Sequence, residues 1–219
     1  MNNRYKTFYF LHIPKTGGRY FNKYIRDNLQ IYFVNVNPKY NISCLKKQGH
    51  YAWQRDIRNS TYIVCFLRDP IKLACSYFSH FVSPYNNNTK EDFMRWLKKS
   101  RWFHNFQCKN LLLDSPVVEP LDNNAKIYQI KLTKQDLIEK INRINALFTI
   151  DYLRTNPNDV YLKICSDLGM ETKKLEFPYD EEYNNTKSYE LYNSLSESEI
   201  KEISNFFKWD YYIYNKVVN

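Results

Sequence analysis

The chain has 219 residues, 43% hydrophobic and 17% aromatic, and carries a formal net charge of +9. That length buries one good core and the composition excludes a disordered chain, so residues 1–219 are expected to form a single domain. The basic excess asks for an anionic partner, but Lys and Arg fall in scattered pairs such as Lys46-Lys47, Lys98-Lys99 and Lys173-Lys174, which argues against nucleic acid and for a small polyanionic ligand.

In chain order, the first element is residues 8–13, a nearly unbroken apolar and aromatic run that suits a strand covered on both faces. The apolar run there is too short for a secretory h-region, and no stretch reaches the roughly 20 apolar residues of a membrane span. A soluble, cytoplasmic protein is therefore expected. Lys15, Thr16, Gly17 and Gly18 follow, and then Phe21, Tyr24, Ile25 and Leu29 recur at helical spacing, predicting a helix over about residues 18–28. Residues 30–36 read as a second strand, and residues 38–49 as a polar, irregular connection ending at Gly49-His50. Residues 61–67 form the strongest β run of the chain. Asp69 and Pro70 then predict the cap and first turn of a helix reaching about residue 81.

Thr89 opens a predicted helix through Leu97, and residues 102–113 read as another. Thr133 and Asp136 have capping-box spacing before Leu137, Ile138, Ile141 and Ile144, and residues 146–150 read as a buried strand. Asn156-Pro157 starts a helix that Gly169 stops. Ser196 and Glu199 cap the last helix, with Ile200, Ile203, Phe207, Tyr211 and Tyr214 as its buried stripe. Strands alternating with helices predict an α/β fold with a central mostly parallel sheet flanked by helices. The five Cys form no C-x-x-C pair and are odd in number, which points to reduced thiols. No convincing metal-ligand cluster is present in the sequence, so no metal is expected.

Two turns at strand ends carry the chemistry, because ligands of such folds sit at the carboxyl ends of strands, where Lys15 and Arg68 fall. A phosphate or sulfate resting on Thr16 to Arg19 would meet backbone N–H groups, a hydroxyl and charge together. The turn is not a Walker A loop, since Lys15 precedes the glycines and the G-x-x-x-x-G-K-[ST] spacing is absent. At the second turn the guanidinium of Arg68 suits a phosphate, and Ser76 supplies a further donor. His50 lies between the two turns, and a neutral imidazole with a pKa near ~6.5 suits proton abstraction at physiological pH. His12 is expected inside the first strand, while His80 and His104 follow helices and read as structural or surface residues.

Residues 13–18, Ile-Pro-Lys-Thr-Gly-Gly, resemble the 5′-phosphosulfate loop of sulfotransferases that use 3′-phosphoadenosine-5′-phosphosulfate (PAPS) as donor. Residues 65–77 resemble the same family's 3′-phosphate motif, R-D-P-x-x-R-x-x-S-x-Y. The resemblance is closest to the carbohydrate branch that includes heparan sulfate 2-O-sulfotransferase, and it implies a P-loop-like three-layer fold. It implies that Lys15, Thr16, Gly17, Gly18, Arg19 and Tyr20 hold the 5′ end of PAPS, and that Arg68 and Ser76 bind its 3′-phosphate. Asn185, Thr186 and Lys187 would belong to a late loop that closes over the nucleotide. His50 would be the general base for the acceptor hydroxyl, and Lys15 would neutralise charge on the leaving 5′-phosphate oxygen. The product nucleotide would be PAP, the acceptor a hydroxyl, most simply of a glycan, and no metal would take part.

Two positions depart from the family pattern. Leu73 stands where a second Arg is frequent, with Lys72 beside it, and Arg19-Tyr20 replaces a pair of hydroxyl residues after the glycines. Residues 105–111 resemble a family segment N-x-Q-x-x-x-L, and residues 210–214 resemble D-x-x-L-Y, read as structural. Two other functions remain open at this level. One is a P-loop-like ATP-dependent phosphotransferase; the other is a non-catalytic protein that binds a nucleotide or a sulfated glycan.

Overall fold

The structure is a computed structural model that describes residues 4–22, 27–29, 43–44, 57, 59–83, 89–113, 130–172 and 186–218. Its centre is a parallel pair, β1 (Thr7–Leu11) and β3 (Thr61–Leu67), flanked by β2 (Ser43–Cys44) and β4 (Ala146–Thr149) in the order β2-β1-β3-β4. All pairings are parallel, with Leu11 opposite Cys65 and Leu67 opposite Thr149. The strands β1, β3 and β4 therefore end toward the same edge.

Neither face of the sheet is wet, which is why β1 and β3 read as unbroken apolar runs. Tyr9, Leu11, Ile63, Cys65 and Leu67 face one core. Phe8, Phe10, Tyr62, Val64 and Phe66 face the other. The second core is closed by α1 (Gly18–Tyr20), α2 (Asp27–Leu29), α7 (Ile150–Thr155) and α8 (Pro157–Leu168). Against the first core pack α3 (Pro70–Tyr77), α4 (Lys90–Lys99), α5 (Phe106–Leu112) and α6 (Lys134–Asn142). The C-terminal helices α9 (Thr186–Asn193), α10 (Glu197–Ser204) and α11 (Lys208–Val218) complete that layer. The result is the expected α/β arrangement of a parallel sheet between two helical layers.

Local signals explain most element starts. Asp69 caps α3, its Oδ1 accepting from the N–H groups of Ile71 at 3.0 Å and Lys72 at 2.9 Å. Thr89 and Thr133 cap α4 and α6 in the same way, and Ser196 and Glu199 form a complete capping box on α10. Each such cap contributes about 1 kcal/mol. Gly169 ends α8 with φ of +62°, a left-handed residue of the kind that closes helices.

Four expectations are modified. The helix from Pro70 is α-helical to Tyr77 and continues as a π turn over Phe78–Val82. The segment expected as one helix over residues 102–113 is a 3-10 turn, Arg101–Phe103, followed by α5, because Asn105 between them has φ of +52°. The last helix is likewise split by a 3-10 turn at Asn205–Phe207. The two-residue β2 falls inside the stretch expected to be irregular, and the strand expected over residues 30–36 lies outside the described residues.

The breaks at Asn105 and Phe207 have a shared cause. Asn105 Oδ1 accepts from the N–H of Trp209 at 2.8 Å, in the first turn of α11. Asp210, fully buried on that helix, accepts from Gln107 N–H at 3.2 Å and Cys108 N–H at 2.8 Å, in the first turn of α5. Each helix thus caps the other's N-terminus. Cys65, Cys75, Cys108 and Cys165 are free, buried thiols. Among the described residues, no helix is long and apolar enough to cross a membrane.

Candidate functional site

The loop after β1 is bent by two residues with positive φ, Lys15 at +67° and Gly17 at +81°. For lysine that conformation costs about 1 kcal/mol, so something outside the loop must hold it. Arg68, at the end of β3, does so by donating from Nη1 to the Lys15 carbonyl at 3.2 Å. Thr16 is fully buried, and its N–H and hydroxyl both go to the Ile13 carbonyl, at 3.3 and 2.8 Å. That hydroxyl closes the turn.

The glycines have a packing reason as well as the expected one of close approach to a ligand. A Cβ on Gly17 would stand 1.9 Å from Cδ1 of Ile150, the first residue of α7, and one on Gly18 would stand 2.2 Å from the ring of His12. No side chain larger than hydrogen fits without displacing those groups. His12 itself corrects an expectation, since β1 ends at Leu11 and the imidazole stands just beyond it, stacked on Phe10 at 4.9 Å.

Four cations from three strand ends share one electrostatic neighbourhood. Burial, then Arg68, then Arg19 lower the Lys15 ammonium from its ordinary 10.5 to about 8. Its Nζ also lies 5.8 Å from the centroid of the Phe81 ring, within cation–π range. Arg68 is pressed in the same direction by burial and by Arg154 of α7, with Asp151 as the main opposing influence. A guanidinium remains charged regardless, so an anion beside it would offset both the burial and the repulsion. Tyr20 is raised by burial, with Arg154 acting against it.

The backbone of Arg68 is clamped. Its N–H donates to Gln107 Oε1 at 2.9 Å, and its carbonyl accepts from Gln107 Nε2 at 2.8 Å. Ser76 is 3% exposed near the C-terminal end of α3. Leu73, at the position where the family pattern has Arg, is fully buried in the apolar core and has no electrostatic part. Lys72 is engaged on the rim, 3.7 Å from Asp151 and with Nζ 5.7 Å from the Tyr192 ring. Thr186 opens α9, which packs against α3, and Lys187 on that helix is exposed. His50 and Asn185 lie outside the described residues.

The structure therefore brings together Lys15, Arg19 and Arg68, and adds residues the sequence did not suggest. Ile150 and Arg154 arrive through the β3–β4 pairing and are four apart on α7, so they share a helical face over the glycine loop. Their spacing is visible in the sequence, but nothing there ties it to Gly17. His80, read as structural or surface, is exposed on the π turn with its ring 4.6 Å from Phe81. Burial, Lys15 and Arg19 lower its pKa. His104 is a packing residue, stacked on Phe206 at 4.3 Å and hydrogen-bonded to the Leu97 carbonyl at 3.0 Å. Among the described residues, no group of three His, Cys, Asp or Glu side chains is arranged to hold a metal ion.

No family model and no curated protein sequence matches the chain. Among solved structures, the chain is similar to a sulfotransferase from Alicyclobacillus acidocaldarius, at 13% identity over 93% of this chain and 91% of that one, with a TM-score of 0.49. At that identity and superposition the likeness does not itself assign the site or its chemistry.

Proposed function

We propose that the protein is a PAPS-dependent sulfotransferase that acts on a hydroxyl, in the first instance of a carbohydrate. The observation that carries this reading is the meeting of the two motif turns, Arg68 Nη1 at 3.2 Å from the Lys15 carbonyl beside an ammonium lowered to about 8. The two cations that the motifs assign to opposite ends of one donor thus adjoin at neighbouring strand ends. ATP has no 3′-phosphate, so ATP-dependent phosphotransfer would leave Arg68 and Ser76 without an anion to bind.

In this reading Lys15, the Gly17-Gly18 turn, Arg19 and Tyr20 hold the 5′-phosphosulfate, Thr16 shapes that turn through its two hydrogen bonds to the Ile13 carbonyl, and Arg68 with Ser76 holds the 3′-phosphate. Asn185, Thr186 and Lys187 cover the nucleotide. The acceptor oxygen bonds to sulfur as the bond from sulfur to the 5′-phosphate oxygen breaks, and Lys15 neutralises the charge left on PAP. The acceptor's proton passes to a histidine. His50 is the base that the carbohydrate-branch resemblance supports, through Gly49-His50. A second reading, His80, is favoured by its place in the field of Lys15 and Arg19 and by the lowering of its pKa. The charge role that a metal plays in phosphoryl transfer falls here to Lys15 and Arg68.

The test is transfer of label from sulfur-labelled PAPS to a panel of acceptor glycans, run on the parent protein and on His50→Ala and His80→Ala. Replacing the base should lower turnover by about 10²–10⁴ and abolish the rise of turnover with pH through the imidazole pKa, near ~6.5 when unperturbed. Tight PAP binding with no transfer to any hydroxyl acceptor would replace the enzyme with a nucleotide-binding protein.

A further inference from the structure

We propose that Gln107 is a positioning residue that fixes Arg68 against the first anion loop, and that α5 and α11 cap one another in order to seat it. The inference rests on the reading that Arg68 takes a 3′-phosphate. Arg68 is the first residue beyond β3, so the parallel ladder that ends at the Leu67–Thr149 pair no longer holds its main chain. Gln107 supplies what the ladder does not. Its fully buried side-chain amide accepts from the Arg68 N–H at 2.9 Å and donates to the Arg68 carbonyl at 2.8 Å, acting as a one-residue strand partner. With the peptide groups on both sides of Cα so held, the direction of the Arg68 Cα–Cβ bond is set and its rotamer choice narrowed.

The chain of contacts continues in both directions. Forward, Arg68 Nη1 reaches the Lys15 carbonyl at 3.2 Å, so the orientation of Arg68 also governs the strained residue of the glycine loop. Backward, the Gln107 N–H ends on Asp210 Oδ2 at 3.2 Å and the Cys108 N–H on Oδ1 at 2.8 Å. Asn105, whose side chain makes no cap for its own helix, instead accepts from Trp209 N–H at 2.8 Å and Asp210 N–H at 3.4 Å. Residues more than 100 positions apart in the chain thus lock the first turn of α5, and that turn carries the amide that grips Arg68. A glutamine needed only to satisfy buried polar groups would affect stability and treat all nucleotides alike. A positioning glutamine affects the ratio between nucleotides that differ in the 3′-phosphate.

Titration calorimetry of adenosine 3′,5′-bisphosphate and adenosine 5′-monophosphate on the parent protein, Gln107→Leu and Gln107→Glu reads that ratio. Gln107→Leu should weaken the bisphosphate by at least about tenfold more than the monophosphate, which loses only the support that Arg68 gives the Lys15 carbonyl. Gln107→Glu keeps the acceptor for the Arg68 N–H, loses the donor to its carbonyl, and should fall between the two. If Gln107→Leu does not melt cooperatively, the Glu variant carries the test, with a ratio lowered at least about threefold as the expected result. An unchanged ratio in the folded variants overturns the inference. A parent protein that does not distinguish the two nucleotides overturns the assignment of Arg68, and the inference with it.

Discussion

Binding of a polyanion at the cation cluster should be accompanied by proton uptake at Lys15. Burial and the neighbouring Arg68 and Arg19 hold this ammonium at about 8 rather than 10.5 in the free protein. An anion seated beside it attracts the ammonium, offsets both the burial and the repulsion, and brings the group back toward its ordinary value. At pH 9 the free group is then about one-tenth protonated and the bound group almost fully so, an uptake of about 0.9 proton per nucleotide bound. At pH 7 the same arithmetic gives about 0.1. Affinity for PAP should be about tenfold weaker at pH 9 than at pH 7, because the cost of charging Lys15 is then added to binding. Calorimetry in buffers of different ionisation enthalpy measures the uptake directly, and the phosphates of the ligand are fully ionised at pH 9 and add nothing to it. In Lys15→Gln the uptake should vanish. No uptake by the parent protein at pH 9, or the same uptake by Lys15→Gln, would refute the reasoning.

Two further outcomes follow from the packing around the site. Gly17→Ala should destabilise the protein by about 1–3 kcal/mol in thermal or denaturant unfolding, from the positive φ and from the 1.9 Å approach of the new Cβ to Ile150 Cδ1. Adding Ile150→Val, which removes Cδ1, should recover part of that loss, and strict additivity of the two substitutions would remove Ile150 as the cause. Asp210→Asn isolates the pH dependence of the buried cap. Burial raises the Asp210 carboxyl from 3.8 to about 6 despite its hydrogen bonds. The folded state therefore holds the proton more tightly, and the stability that Asp210 contributes at low pH is lost as pH rises through about 6. The parent protein should lose about 3 kcal/mol relative to Asp210→Asn between pH 3 and pH 8, measured by denaturant unfolding at each pH. A difference that stays flat or runs the other way would contradict the sign.

Much of this architecture can be read from local sequence because local physics decides it. Residues 8–11 and 61–67 are apolar on both alternations, and the structure buries both faces of β1 and β3. Asp69, Ser196 and Gly169 act on their own neighbours in the chain, so their caps and stops are found where their chemistry predicts. What escapes such a reading depends on contacts between distant residues. Asn105 breaks a segment with good helical periodicity because α11, more than 100 residues later, takes its side chain. Gly17 and Gly18 suggest an anion turn, yet the side chains that enforce them are Ile150, from the far edge of the sheet, and His12 beneath the loop. Arg154 joins the cations only through the pairing of β3 with β4, and His80 only through the π turn that carries α3 past Tyr77. The two cation-bearing turns are legible in the sequence, because Lys15 follows β1 within four residues and Arg68 follows β3 directly.

The most direct test of a PAPS-type donor site is calorimetry of the parent protein at pH 7 with PAP, AMP and ATP, each with and without magnesium. A site that uses Arg68 for a 3′-phosphate should bind PAP at least about tenfold more tightly than AMP, since a charge-assisted hydrogen bond contributes about 1.5–3 kcal/mol. ATP should bind no better than AMP by that margin, and magnesium should not improve PAP binding. Equal affinity for PAP and AMP, or a magnesium-dependent preference for ATP, would contradict the account.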